Sequence, residues 1–203
     1  MLRVGLTGGI GTGKSYVRAR LEAKGIPTID ADALAHDAVR PGTAALEAIL
    51  RRFGAHLRLP DGSLDRRALA GIVFADPVAR RDLEAIVHPA VYAAIAHWFA
   101  TEASAGAPIA VADIPLLFET GGQARLDAVI VTACDPEEQV RRVMRRDGAT
   151  EAGARSRLAA QWPIARKVAQ ADYVVDTGGA FAETDRLVDE LILALRARAA
   201  NQP

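Results

Sequence analysis

The sequence predicts an α/β fold: a five-stranded parallel sheet covered by helices on both faces. Three observations carry the prediction. Short apolar runs alternate along the chain with stretches of helical periodicity, the pattern of strand–helix–strand units. The first of those runs leads directly into a glycine-rich octet, Gly8-Gly9-Ile10-Gly11-Thr12-Gly13-Lys14-Ser15, and then into a helix. Half of the 203 residues are hydrophobic, enough for one sizeable core, while the length is short for two independent domains.

Leu2 to Leu6 is a short apolar run and reads as a buried strand; Tyr16 to Lys24 reads as a helix. The octet between them fits the pattern G-x-x-x-x-G-K-[ST] at every fixed position, in the strand–loop–helix setting that the motif requires. The residue types follow from the ligand. A polyphosphate needs many donors close together, and backbone N–H groups supply them without long side chains. Gly8, Gly9, Gly11 and Gly13 let the backbone approach the anion. A helix starting near Gly13 points its positive end at the anion. Thr12 completes the loop, Lys14 adds a full charge within reach of the β- and γ-phosphates, and Ser15 offers a hydroxyl to Mg²⁺. Acidic and basic residues balance at 25 each, so no global field draws the chain to nucleic acid, and phosphate attraction must be local.

Lys24-Gly25 is a helix stop, and Ile26 to Ile29 a second strand ending in Asp30-Ala31-Asp32. Carboxylates at the carboxyl end of a strand sit where open α/β sheets bind ligands. Asp30 reads either as a helix N-cap, the favoured reading, or as one of the carboxylates that face a ligand there. Asp32 reads either as a favourable first-turn charge or as the group that accepts the proton of an attacking hydroxyl. From 31 to 105 little looks like strand. Ala45 to Phe53 has helical spacing, Asp65 and Asp76-Pro77 look like helix starts, and His88-Pro89 looks like another. This is a helical insertion between the second and third strands. His88 either caps a helix or touches a substrate. His36, His56 and His97 have no metal-ligand spacing.

Pro108 to Asp113 is a third strand, and its closing Asp113 either holds Mg²⁺ through water or serves the turn. Ile114 to Glu119 is too apolar for a free loop and is expected to pack across a cleft floor, with Glu119 facing either the site or solvent. Leu126 to Ala133 is a fourth strand, followed by Cys134, the only cysteine, which reads as a packing residue. Asp135-Pro136-Glu137-Glu138 opens a helix bearing Arg141, Arg142, Arg145 and Arg146. Glu137 with Arg141 and Glu138 with Arg142 are i,i+4 pairs, whereas Arg145 and Arg146 lack an acidic partner on that side. With Arg155, Arg157, Arg166 and Lys167 in the short helical pieces from 148 to 169, the segment reads as a basic lid that excludes water and brings guanidinium groups to a transferring phosphoryl. A solvated basic helix pair is the alternative. Ala171 to Asp176 is a fifth strand, and Leu187, Val188, Leu191, Ile192 and Leu195 make an apolar stripe on a last helix. No signal peptide and no apolar run of about 18 residues is visible, so a soluble cytoplasmic protein is expected, with no obligate protein partner evident.

The residues from Leu6 to Ser15, then Asp30-Ala31-Asp32, Phe53-Gly54, Asp61-Gly62, Leu64-Asp65-Arg66, Val73-Phe74, His88-Pro89, Pro115-Leu116-Leu117-Phe118-Glu119, Gln139 with Arg142, Arg146, Gln161 and Ala171-Asp172 resemble the dephospho-CoA kinase family over nearly the whole chain. The resemblance implies the three-layer P-loop NTPase fold with a helical substrate-binding insertion and a lid. It implies a nucleotide-binding core at 1–30, 106–135 and 170–203, a helical CoA-substrate domain at 31–105 and a lid at 136–169. It implies transfer of the ATP γ-phosphoryl to the ribose 3′-hydroxyl of dephospho-CoA, with Mg²⁺. ATP would lie along residues 8 to 16, ending at Tyr16, with Ser15 and Asp113 toward the metal. Asp32 matches the family's proposed base; Lys14, Arg142 and Arg146 match its charge stabilisers. The acceptor is expected against Asp32, His88, Leu117, Phe118 and Glu119. Two positions depart: Thr177 stands where the family more often has Asn, and Tyr16 where the loop often ends in Thr. Another P-loop nucleoside or nucleotide kinase is the alternative reading. A GTP-dependent switch needs an N-K-x-D segment, and this chain has no Asn before residue 201.

Overall fold

The computed structural model describes residues 1–201. Its five strands are β1 (Leu2–Gly8), β2 (Thr28–Asp30), β3 (Ile109–Asp113), β4 (Ala128–Ala133) and β5 (Tyr173–Asp176), in the spatial order β2-β3-β1-β4-β5. Pairing of β1 with β3 and β4, and of β4 with β5, is parallel. The three inner strands are buried on both faces, which is why they read as unbroken apolar runs. The second strand begins at Thr28, two residues later than expected. Pro27 has no N–H for a ladder, but its carbonyl still takes the Val111 N–H at 3.0 Å.

The chain divides into two compact units, 1–29 with 99–203, and 30–98. In the first, α1 (Lys14–Ala23) and α9 (Phe181–Ala200) pack on one face of the sheet. Leu2, Val4 and Leu6 of β1 meet Val17 and Leu21 of α1 and Val188, Ile192 and Leu195 of α9 in a single core. The expected stripe on the last helix is therefore core packing. Gly25, at φ 78°, closes α1 in the left-handed region, and the Ile26 N–H returns to the Leu21 carbonyl at 3.1 Å.

The second unit is helical: α2 (Ala31–Ala38), α3 (Ala44–Phe53), α4 (Arg66–Ala75) and most of α5 (Pro77–Ser104). Its core joins Leu46, Ile49 and Leu50 of α3 to Leu57, Leu64 and Leu69, with Ile86 and Val87 of α5 against them. Thr43 and Asp65 cap α3 and α4, each accepting a backbone N–H three residues on. One expectation fails here. No helix opens at His88-Pro89, because α5 runs through Pro89 without a break. Proline there removes one helical hydrogen bond, but Val87 and Ala90 on either side of that dipeptide pack into the core and hold the turn.

The remaining helices are α6 (Pro136–Asp147), α7 (Glu151–Ala159) and α8 (Ile164–Val168), in the first unit. Among the described residues no helix is long and apolar enough to cross a membrane.

Candidate active site

The octet spans the end of β1 and the start of α1. Gly11 (φ 80°) and Gly13 (φ 74°) occupy the left-handed region that costs other residues strain. At Gly11 a β-carbon would also meet the Gln139 carbonyl oxygen at 2.8 Å, so neither the conformation nor the space admits a side chain. Gly13 sits at the N-cap position of α1, and no side chain caps that helix. Its first N–H groups thus lack the partner that Ser, Thr or Asp would supply, an arrangement suited to an anion.

Thr12 faces inward. It is buried, its hydroxyl reaches the Gly9 carbonyl at 2.7 Å and the Thr132 hydroxyl at 2.8 Å, and its N–H closes a turn onto Gly9. Its side chain shapes the loop rather than offering a donor to a ligand. Lys14 and Ser15 open α1, with Ser15 exposed. The Lys14 ammonium lies against Asp113, whose other oxygen is 3.4 Å from Arg18. Asp113 stands level with Leu6 on the neighbouring strand and is 2% exposed. A carboxylate so deeply buried needs cations beside it. Asp113 and Ser15 are hard oxygen donors, and Mg²⁺ completes its shell largely with water, so the donor set fits that ion. Tyr16 places its ring 4.8 Å from Phe181 and donates its hydroxyl to Asp185 at 2.7 Å. That bond raises the phenol's pKa above its ordinary value.

Arg142 is brought to the loop and Arg146 is not. Arg142 lies between Glu138, at 2.8 Å, and the Thr177 carbonyl, at 2.6 Å, with the Gly11 carbonyl 3.4 Å away. Arg146 is mostly exposed and grips Asp147 through two bonds at 2.6 and 3.0 Å. Glu137 does not pair with Arg141 as expected. Arg155 takes it in a two-pronged contact at 2.8 and 3.0 Å, which outcompetes a single exposed i,i+4 pair.

Within Pro115–Glu119, Leu117 and Phe118 turn inward while Leu116 is exposed. Leu117 is fully buried, and Phe118, 3% exposed, stacks on Trp162 at 6.0 Å. Both side chains pack inward. One Glu119 oxygen accepts from the Trp162 backbone N–H and from Lys167, each at 2.9 Å. Asp32 and His88 belong to the helical unit. Asp30 accepts the Asp32 N–H at 2.9 Å and caps α2, as expected, so Asp32 is not needed for that duty; it is exposed in the first turn. His88 is half-buried inside α5 and caps nothing. Cys134 is buried, and burial pushes its thiol pKa up, as suits a packing residue.

Sequence reasoning missed what holds the loop from behind. Gln139 donates to the Ile10 carbonyl at 2.8 Å, Gln161 accepts the Ile10 N–H at 2.9 Å, and Thr177 donates to the Thr12 carbonyl at 2.8 Å. One signal was available: Gln139, Arg142 and Arg146 recur at helical spacing along a face of α6.

The acidic groups around α6 and α7 give a pH prediction. Hydrogen bonds from Arg142 lower the Glu138 pKa, those from Arg155 lower Glu137, and those from Arg146 lower Asp147. Folded values below unfolded ones give stabilisation that is complete above the ordinary carboxylate range, about 4, and is lost as pH falls through the lowered values. The thermal midpoint should fall as pH drops below the ordinary carboxylate range, about 4, and less steeply in Arg155→Met. Equal slopes for the two proteins would contradict this.

A glycine loop between a parallel strand and a helix, with a lysine at the helix start and a carboxylate closing the next strand, defines the class: a P-loop nucleotide-binding protein. The chain belongs to the dephospho-CoA kinase family. That family's profile (CoaE) matches residues 2–183. A dephospho-CoA kinase of Anaeromyxobacter dehalogenans is 53% identical over 95% of this chain and 92% of its own length. Among solved structures, TT1252 from Thermus thermophilus superposes with a TM-score of 0.80 at 39% identity, covering 95% of this chain and 96% of its own. The dephospho-CoA kinase of Campylobacter jejuni gives 0.74 at 28% identity, with coverage of 97% and 98%. Shikimate kinase from Acinetobacter baumannii, at 17% identity and a TM-score of 0.50, shares the fold alone.

Proposed function

We propose that the chain transfers the γ-phosphoryl of ATP to the ribose 3′-hydroxyl of dephospho-CoA, giving coenzyme A and ADP, the last step of CoA biosynthesis in the cytoplasm. The observation that carries the chemistry is the uncapped start of α1 behind two left-handed glycines, with Lys14 beside it. Family membership carries the choice of acceptor. In this reading the unit of residues 1–29 and 99–203 binds the nucleotide, the helical unit holds the acceptor, and residues 136–169 form the lid.

Phosphoryl transfer asks for positioning and charge neutralisation more than covalent chemistry. The loop N–H groups cradle the phosphates. Lys14 exchanges its contact with Asp113 for the β- and γ-phosphate oxygens and follows the charge as it develops. Arg142, already at the loop, adds a second cation on the lid side. Asp32 orients the 3′-hydroxyl and takes its proton. The Ser15 hydroxyl and, through water, Asp113 would hold Mg²⁺, which would supply charge neutralisation for the phosphates. Arg146 reaches the phosphoryl only by leaving Asp147. His88 contributes to acceptor binding.

The test is ADP release in a coupled assay, with dephospho-CoA set against nucleosides, nucleoside monophosphates and shikimate as acceptors. Release with dephospho-CoA at a rate far above every other acceptor is expected. Preference for a nucleoside or a monophosphate would assign the chain to another branch of P-loop kinases.

A further inference from the structure

Lysine is rare in this chain: three of its 25 basic residues, Lys14, Lys24 and Lys167, against 22 arginines. Lys167, on α8, is 0% exposed and heads the largest fully buried side chains. Its Nζ donates to the Gly8 carbonyl at 3.1 Å and the Pro115 carbonyl at 3.3 Å, and pairs with Glu119 Oε1 at 2.9 Å. Three donors meet three acceptors, the condition for burying an ammonium. A compact, tetrahedral ammonium fits three convergent acceptors, whereas a planar guanidinium does not. Glu119 depends on this cation in turn, since its Oε2 is buried with no donor among the described residues.

Gly8 is the first residue of the octet. Because the peptide is planar and trans, holding the Gly8 carbonyl on one side directs the Gly9 N–H to the other and fixes the plane from which the loop departs. Gln139 does the same for the Ile10 carbonyl and Thr177 for that of Thr12. Lys167 is the fully buried, charged member of this set. We propose that Lys167 is a positioning residue for the phosphate loop, setting the cradle for the nucleotide through the Gly8 carbonyl without touching the ligand. It is therefore the fixed end of the segment read as a lid. The inference rests on the reading of the octet as a polyphosphate cradle.

Calorimetric titration of the full chain with inorganic pyrophosphate and with ADP tests it, using the native protein, Lys167→Met, and Lys167→Met with Glu119→Gln. The single variant strands a buried carboxylate and should melt lower. The double variant should recover most of the melting temperature yet bind both probes about tenfold more weakly or worse, a magnitude usual for supporting contacts behind a ligand site. Dephospho-CoA affinity should not change. A double variant that binds pyrophosphate and ADP like the native protein would overturn the inference and leave the cradle reading intact. Native protein that binds neither probe would overturn both. If neither variant folds, the native protein decides. With three lysines, the Lys167 ¹⁵Nζ resonance can be assigned, and it should move when pyrophosphate saturates the loop. A resonance that stays in place would contradict the coupling.

Discussion

Lys14→Ala is expected to retain the fold and lose most of the turnover. Lys14 lies on the first turn of α1, partly exposed, and contributes nothing to the core of that helix, which is Val17 and Leu21. In the proposed mechanism its removal deletes the charge that the loop itself brings to the transferring group. Loss of one preorganised charge of this kind costs about 3–4 kcal/mol of transition-state stabilisation, roughly a hundred- to thousandfold in kcat. There is an opposing effect. Asp113 then keeps only the Arg18 contact, at 3.4 Å, of the two cations described beside it, so the melting temperature should fall as well. Single-turnover quench-flow with saturating ATP separates the two. A normal rate constant for the chemical step would remove Lys14 from the mechanism, whatever the stability does.

Asp32→Ala is expected to show the opposite profile: nearly native ATP affinity and melting temperature, with kcat lower by roughly 10²–10⁴-fold, the range for loss of a positioned proton acceptor. The structural reason for sparing stability is local. Asp30, not Asp32, caps α2, and an exposed first-turn carboxylate contributes only about 0.3–1 kcal/mol through the helix dipole. Asp32→Asn distinguishes orientation from proton transfer, since the amide keeps an oxygen to hold the hydroxyl but is a far weaker base. Loss in both variants assigns proton transfer; loss in Ala alone assigns orientation. Unchanged turnover in Asp32→Ala would exclude the residue.

The order of strands and helices was legible because each buried strand is an unbroken apolar run and each turn carries its own chemistry: Gly25 closing α1, Asp65 opening α4, Asp135-Pro136 opening α6. The octet was legible because its backbone demands are written directly in glycine. Pro89 misled because proline marks a helix boundary only when packing permits the helix to end, and the core around Val87 and Ala90 does not. The burial of Leu117 and Phe118 was legible in their apolarity, but the Trp162 ring that stacks on Phe118 was not, since it lies 44 residues further along the chain. The partners of Glu119 and Lys167 were illegible for a different reason. They are 48 residues apart in sequence, and the third member of their contact is a backbone oxygen, Gly8 O, which has no signature in the side-chain pattern.

The proposed reaction delivers the outermost phosphoryl group of ATP directly to one particular alcohol. Incubation with [γ-³²P]ATP and dephospho-CoA, followed by chromatographic resolution of the product and treatment with a 3′-nucleotidase, tests it most directly. One labelled product is expected, co-migrating with coenzyme A and releasing all of its label to the nucleotidase. Label on inorganic phosphate alone, or on any position that the nucleotidase leaves untouched, would contradict it.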